Sequence, residues 1–331
     1  ENWDDHDRSG KYTTLAMAKK YLDSVDEDAI LFTIGDNDTF ALWYAQEIEG
    51  YRTDVRTINT SLFATDWYID QMRKKAYESD AIKTTLTHDD YKFGTNDAVW
   101  YQEDPRIKDT LEIDKFIKYI KSDNETTKAE LQSGQVINTF PTKHIRVPID
   151  KQKIIDNGIV NSEDENLIED YIDIQLEDNL IYKPNLMMLD LLANNDWERP
   201  IYFTGGSFRD EDYLWMKDYL QLEGVTYKLI PIKTPVDPEN PFEMGRIDED
   251  KMYSIVMNWD WGNSGSDDIY HDPETRKNAI TYRSNLARLA EKLIKTDKFE
   301  KAKDVLDLGM KHIPVKHYQY YQLVEPFITG Y

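Results

Sequence analysis

The sequence of 331 residues contains no cysteine. Thiol catalysis, disulfide bonds and thiolate zinc sites are therefore excluded. The sequence also lacks any apolar run of about 18 residues, so no segment predicts a helix that crosses a bilayer. The motifs of a nucleophile elbow, a P-loop, a dinucleotide fingerprint and an HExxH metal helix are missing as well. The sequence does not exclude catalysis by a Ser-His-Asp arrangement, but no motif identifies the residues that would form it.

Positive charge is scarce relative to negative charge. The 40 Lys and Arg residues stand against 63 Asp and Glu residues, which gives a formal net charge of −23. Because this field repels nucleic acid and anionic membrane surfaces, nucleic acid is not expected as a partner. Hydrophobic residues make up 40% of the chain, which is enough for a sizeable core. The length suggests two domains, or one large domain with an appendage.

The N-terminal residues are dense in charged and aromatic side chains. The sequence opens with Glu1-Asn2-Trp3, without an initiator Met or a signal peptide. A natural N-terminus usually begins with a looser sequence than "ENWDDHDRSGKY". We therefore expect the sequence to be a piece of a longer chain.

Short apolar runs alternate with amphipathic segments in two parts of the sequence. The run "AILFTIG" ends in Gly and is typical of a strand that is buried on both faces. Helices are predicted in "KYTTLAMAKKYLDSV", "TFALWYAQEIEG", "DWYIDQMRKKAYES", "KPNLMMLDLLANN" and "DEDYLWMKDYLQLEG". The strand candidates between them are Ala29–Gly35, Asp54–Leu62, Pro200–Thr204 and Val225–Ile232. The pattern predicts an α/β fold, with a parallel or mixed sheet flanked by helices in a Rossmann-like arrangement.

The domain prediction divides the chain near a Pro-rich break, "TPVDPENPFEMG". Residues 1–256 are predicted to form the α/β domain. Its less regular middle region, about 80–183, is expected to be an insertion or an elaboration on the same sheet and to contain the strand "KHIRVPI". Residues 270–331 are predicted to be helical, because Tyr282–Pro314 has the length and pattern of one tetratricopeptide-like hairpin. One repeat is not stable alone, so the hairpin should pack on the α/β body or begin a longer array.

The candidate site centres on Asp36, Asn37 and Asp38, which follow the strand that ends at Gly35. In open parallel sheets, ligands bind beyond the carboxyl ends of the strands. Carboxylates at this position can hold a hard cation or accept hydrogen bonds from sugar hydroxyls. The competing explanation is a helix cap, which is worth about 1 kcal/mol. The sequence alone leaves both open, although one cap needs only one such residue. We expect at least one of the three side chains to cap a helix that begins near Thr39.

Two further segments are expected at the same edge of the sheet. Asp66 and Trp67 follow the next strand along the chain. A second segment close to the N-terminus packs carboxylates, an imidazole and a guanidinium together: Asp4, Asp5, His6, Asp7 and Arg8. A polar loop with local charge pairs explains that segment equally simply, since no second His lies nearby. Trp43, in the helix after the first strand, completes the candidate ligand-binding set. If these segments share one cleft, a ligand-binding site explains them better than a helix cap does, because a cap does not require them to converge.

Two other segments are weaker candidates. Gly205, Gly206 and Ser207 lie between a strand and a helix, where backbone N–H groups can cradle a phosphate, but a tight turn is more common. The acidic residues that follow would repel a phosphate. The segment "MNWDWGNSGSDD" lacks the spacing of a calcium-binding EF-hand loop, so a packed Trp turn is favoured.

Several motifs together resemble a known family. They are "NWDDHDRSGKYTT", "AILFTIGDNDTFALWYAQEIEGYRTDVR", "TDWYIDQM", "LMMLDLLANNDWERPIYFT" and "YRSNLARLAEKLI". In this order they resemble the soluble C-terminal half of a bacterial membrane-protein family of unknown function, whose membrane half resembles protein O-mannosyltransferases. The resemblance implies a position on the extracytoplasmic (periplasmic) side of the membrane, with the membrane-embedded half of the same chain as a partner. It also implies that the catalytic carboxylate lies in the membrane half.

Three functions are compatible with these residues. The favoured one is a non-catalytic soluble domain that binds acceptor polypeptide or glycan. The alternative is a free-standing α/β enzyme or metal-binding domain that uses Asp4–Asp7 and Asp36–Asp38. The second alternative is a tetratricopeptide-type interaction module. No particular cofactor is predicted, and the carboxylates are compatible with a divalent cation.

Overall fold

The computed structural model describes residues 9–107, 109–205, 214–236, 243–319 and 324–330. In chain order, the strands are β1 (Ile30–Thr33), β2 (Arg56–Asn59), β3 (Ala98–Tyr101), β4 (Thr110–Glu112), β5 (Lys128–Glu130), β6 (Val136–Phe140), β7 (His144–Pro148), β8 (Tyr171–Gln175), β9 (Leu180–Tyr182), β10 (Ile201–Thr204), β11 (Leu220–Glu223) and β12 (Thr226–Leu229).

The α-helices lie between and after these strands. They are α1 (Thr13–Asp23), α2 (Asp36–Glu47), α3 (Asp66–Met72), α4 (His88–Tyr91), α5 (Ile113–Ile120), α6 (Lys151–Asp156), α7 (Lys183–Asn195), α8 (Glu249–Met257), α9 (Pro273–Lys295), α10 (Phe299–His312), α11 (Val315–Tyr318) and α12 (Glu325–Thr329). Among the residues described, no helix has the length and apolar character needed to cross a membrane.

The four predicted strands lie in one five-stranded mixed sheet with the order β11-β12-β10-β1-β2. Strand β1 is parallel to β2 on one side and to β10 on the other. Helix α2 connects β1 to β2, whereas β10 returns from much later in the chain. The carboxyl ends of β1 and β10 therefore form a switch point, where connections leave the sheet in opposite directions. The predicted α/β fold is confirmed.

The middle region is an insertion rather than an elaboration of the main sheet. It does not extend the five-stranded sheet but forms two other mixed sheets, with the orders β5-β6-β3-β9 and β4-β7-β8. The predicted strand "KHIRVPI" is β7, the centre of the three-stranded sheet. A pattern of short strands fixes which residues face a core, but it does not say which sheet each strand joins.

Two helix predictions are wrong in extent. Helix α3 ends at Met72 instead of continuing to Ser79. The end of "DEDYLWMKDYLQLEG" is not helical, because Leu220–Glu223 forms β11 and pairs antiparallel with β12. Gly224 makes the tight turn between these two strands with φ of +58°. The apolar residues of this segment satisfied a helical period, but all four residues of β11 are buried and paired as a strand.

The C-terminal helices α9 and α10 form the predicted hairpin and pack on the α/β body. Leu286, Leu289 and Leu293 of α9 are buried. The side-chain amide of Asn285 donates to the carbonyl of Gly224 at 2.9 Å, which joins α9 to the turn between β11 and β12. Phe299, the first residue of α10, is 58% exposed.

The segment "MNWDWGNSGSDD" forms the packed Trp turn that the sequence favoured. Trp259 and Trp261 are buried and pack edge-to-face with each other at 5.6 Å. Trp261 also packs against Tyr282 of α9 at 5.8 Å and stacks on His312 of α10 at 5.1 Å. The turn thereby fills the space between the hairpin and the α/β body.

Gly224 provides a test of this packing. A Cβ atom at this position would lie 2.0 Å from Ser24 Oγ, and the backbone has a positive φ that strains any other residue. We expect Gly224→Ala to lower the free energy of unfolding by more than about 3 kcal/mol, because strain and overpacking add. Urea unfolding measures the change.

Gly50→Ala is the matched control for Gly224→Ala. Gly50 also has a positive φ, of +63°, but no atom lies within 4 Å of an added Cβ. Its loss should be confined to the backbone strain of about 1 kcal/mol. Equal losses in the two variants would contradict the tight junction between the turn and α1.

Candidate functional site

The stretch Asp36-Asn37-Asp38 lies at the carboxyl end of the central strand β1, as predicted. Gly35 has φ of +87°, and α2 begins directly after it at Asp36. The predicted side-chain cap is wrong: the N-cap residue is Gly35, and the helix has no side-chain cap. The left-handed conformation of Gly35 turns the chain so sharply that the three polar residues fall inside the first helical turn.

The Gly35 turn is held by a network of buried polar side chains. Thr39 Oγ1 donates to the Gly35 carbonyl at 2.7 Å and lies 2.6 Å from Thr33 Oγ1. The amide of Asn59, at the end of β2, donates to Thr39 Oγ1 at 2.8 Å. These groups hydrogen-bond one another, so they fix the turn rather than face a ligand.

Asp38 is the member of the triplet that points toward the switch point. Its carboxyl group is half-buried and faces the hydroxyl of Thr204, at the end of β10. Among the described residues, that buried hydroxyl has no hydrogen-bond partner. Burial raises the pKa of Asp38 to about 6, and the Thr204 hydroxyl opposes the rise. Asp38 lies close enough to Tyr282 of α9 that its charge adds to the burial that raises the pKa of that buried tyrosine.

Asp36 and Asn37 are exposed beside Asp38. Asp66 is oriented elsewhere: one oxygen accepts from the backbone N–H of Trp67 at 2.7 Å and the other from that of Phe93 at 3.2 Å. Within the described part of the chain, neither hydrogen bond leads to the Asp36–Asp38 stretch. The expectation of a single cleft, which includes Asp4–Asp7 outside the described residues, stays a prediction.

Trp43 and Trp67 are brought together, but in a different place. Both line a cavity of about 580 Å³ between α2, β2 and the segment that follows α3. We call it the aromatic cavity. Its lining also includes Gln46, Arg56 and Tyr77.

Some candidate residues lie outside the described ranges. These are Asp4, Asp5, His6, Asp7, Arg8, Gly206 and Ser207, for which the expectations stay predictions. Gly205 is described, and a Cβ atom there would lie 3.0 Å from the ring of Tyr227. Close packing against this ring thus gives Gly205 a structural role. Over the residues that are described, no group of three or more His, Asp or Glu side chains is placed to hold a metal ion.

Three polar residues at this site were missed by the sequence reasoning, although a signal existed. The strands β1, β10 and β2 end in Thr33, Thr204 and Asn59, each a buried polar residue at a strand end. Polar residues that end neighbouring parallel strands converge at one edge of a sheet. Tyr282 carried no comparable signal, because it reaches the site from a helix more than two hundred residues later.

Comparison with known protein families identifies the family to which the chain belongs. Residues 14–251, more than half of its length, match the family described as TMEM260-associated domain 2. The chain therefore belongs to this family, a domain of unknown function in TMEM260-related proteins. No curated protein and no solved structure matches the chain. The family match includes the Asp36–Asp38 stretch, the ends of β1, β2 and β10, and the aromatic cavity, and it ends before the hairpin of α9 and α10.

The raised pKa of Asp38 predicts a loss in the free energy of unfolding that depends on pH. Below pH 3.8 the carboxyl group is protonated in both the folded and the unfolded chain, and there is no penalty. As the pH rises to about 6, only the unfolded chain gives up the proton, so the folded state loses stability. We expect Asp38→Asn to raise the free energy of unfolding by on the order of 2 kcal/mol near neutral pH.

Urea unfolding at neutral pH and below pH 4 measures this effect of Asp38→Asn, whose gain should vanish at the lower pH. Asp36→Asn is the control, since Asp36 is exposed on the same helical turn and its substitution should change stability by less than about 0.5 kcal/mol. A loss of stability in Asp38→Asn at neutral pH would show that the ionised carboxylate is structurally required.

Proposed function

We propose that this chain is the extracytoplasmic soluble domain of a glycosyltransferase-like membrane protein. In this proposal it is not catalytic alone and binds the acceptor polypeptide or glycan. The observation that carries the proposal is membership of the TMEM260-associated family over residues 14–251, since TMEM260 is an O-mannosyltransferase-like protein. The sequence motifs of both α/β segments point in the same direction through their resemblance to the soluble half of such proteins.

The geometry at the carboxyl end of β1 supports binding. Thr33, Thr39 and Asn59 are occupied in holding the Gly35 turn. Asp38 faces a threonine hydroxyl rather than a base that could activate a nucleophile. The exposed Asp36 and Asn37 offer acceptors and a donor that suit hydroxyl or amide groups.

The proposal makes the transferase activity of the parent protein depend on this domain. We expect the full-length parent to transfer sugar from a lipid-linked donor to an acceptor polypeptide, and to lose at least about tenfold in kcat/KM when this region is deleted. The measurement is transfer in reconstituted membranes, with the amount of inserted protein determined in each sample.

The isolated chain supplies the complementary measurement. We expect no turnover of generic esterase, phosphatase or glycosidase substrates and no sugar transfer, because the catalytic carboxylate is assigned to the membrane half. Undiminished transfer by the deleted parent would contradict the binding role. Turnover by the isolated chain that is lost in Asp36→Ala or His6→Ala would assign catalysis to this domain instead.

A further inference from the structure

The aromatic cavity has the size and position of a ligand site. Its volume of about 580 Å³ falls within the range of small-molecule sites, roughly 300–1,000 Å³. It lies against the outer edge of β2, the last strand of the five-stranded sheet. Trp67 is 53% exposed and Tyr77 is 60% exposed at its wall. Large aromatic side chains that stay open to solvent around one cavity provide flat apolar faces for a ligand.

One wall of the cavity has an unusual backbone conformation. Tyr77 has φ of +53°, a left-handed conformation that costs a residue with a side chain about 1 kcal/mol or more. Paired hydrogen bonds between Ala76 and Ser79, both 3.0 Å long, hold the turn that carries it. The Tyr77 hydroxyl donates to Glu47 of α2. The strained turn thus presents the tyrosine ring across the cavity from α2.

The interior of the cavity contains fixed polar groups. Gln46 is buried, and its amide nitrogen donates to the carbonyls of Arg52 and Val55, both at 2.9 Å. Arg56 is only 4% exposed and donates through Nη2 to the carbonyls of Lys74, Ser79 and Asp80. Its Nε is buried and has no hydrogen-bond partner among the described residues. A buried donor without an acceptor is costly, and this one has almost no accessible surface, so it belongs to the fixed wall of the cavity rather than to the surface that a ligand touches.

The edge of β2 is not available to an added peptide strand. The backbone N–H of Asn59 donates to the hydroxyl of Tyr68 at 2.9 Å. The carbonyl of Val55 accepts from Gln46. Because side chains already satisfy these main-chain groups, pairing with an extended peptide would require their displacement. Side chains, not the strand edge, must therefore recognise the ligand.

The charges around the cavity balance one another. Lys75 forms an ion pair with Asp80 at 3.0 Å, and Glu78 accepts from Thr53 in the cavity wall. The surrounding cations and carboxylates are Arg56, Lys74, Lys75, Glu47, Glu78 and Asp80. A balanced field does not select a charged ligand. A molecule with an apolar face and many hydroxyl groups fits it better.

We propose that the aromatic cavity binds a neutral saccharide unit. The rings of Trp67 and Tyr77 stack on the C–H face of the sugar. This inference rests on the proposed function, because it selects glycan as the acceptor component that the domain recognises. It adds the location of the site and the neutrality of the ligand.

Isothermal titration of the isolated chain with neutral disaccharides tests the site. The probes are gluco-, manno- and galacto-configured disaccharides, with a sulfated disaccharide and an unglycosylated peptide for comparison. We expect at least one neutral disaccharide to bind, and Trp67→Ala to raise its Kd by about tenfold or more. Because Trp67 is exposed, its removal should leave the fold unchanged, which circular dichroism checks.

Trp100→Ala is the matched control. Trp100 is also an exposed tryptophan, at 45%, but it lies on β3 outside the aromatic cavity. Its Kd should stay within about twofold of that of the unmodified chain. Equal loss in both variants, binding that Trp67→Ala does not affect, or binding of only the sulfated sugar or the peptide would overturn the inference.

The two proposals fail separately. If no neutral disaccharide binds but the parent still needs this domain for transfer, the saccharide site is withdrawn and the accessory role stands. If the sugar binds as expected but transfer does not need the domain, the accessory role is withdrawn and the saccharide site stands.

Discussion

The parallel pairing of β1 with both β2 and β10 is the constraint on which the rest of the structure depends. Parallel neighbours cannot be joined by a tight turn, so the chain must cross over through α2 to reach β2. The other neighbour is supplied only after the chain has built two further sheets between residues 98 and 182. Phe32 and Phe203, stacked at 5.5 Å on adjacent strands, show how the late strand completes the core begun by the early one.

The same pairing brings polar strand ends together. Thr33, Asn59 and Thr204 are buried at the carboxyl ends of three parallel strands, where each would be costly without a partner. The first two solve this by hydrogen-bonding around Thr39 and the Gly35 turn. Thr204 instead faces Asp38, and a buried carboxyl group results. A topological constraint therefore produces the shifted pKa at this edge of the sheet.

The sequence predicted those features of the fold that depend on the local pattern of apolar and polar residues. A continuous apolar run identified β1, β-branched residues indicated β2, and short strand-like segments indicated β10 and β12. The alternation of these segments with helices predicted the α/β class. The triplet at Asp36 was placed correctly because its position follows from the strand before it. The predicted role of the triplet as a helix cap was wrong, since the conformation of Gly35 decides where the helix begins.

Long-range packing could not be predicted from the sequence pattern. The short strands of the middle region fit any sheet with one buried face, so their separation from the main sheet could not be read from periodicity. The meeting of Asp38 with Tyr282 depends on how the hairpin of α9 and α10 packs on the body. Trp43 and Trp67 were selected as neighbours of carboxylates, yet they meet through the tertiary placement of α2 and α3 around the edge of β2.

Helix α2 connects the two candidate binding regions physically. Its buried face is made of small or slender residues, including Thr39, Ala41 and Ala45. These let the helix lie close to the sheet, so its large aromatic residues remain on the outer side. Its first turn carries Asp38 to the carboxyl end of β1, and two turns later Trp43 and Glu47 form one wall of the aromatic cavity. One helix therefore contributes side chains to both candidate binding regions.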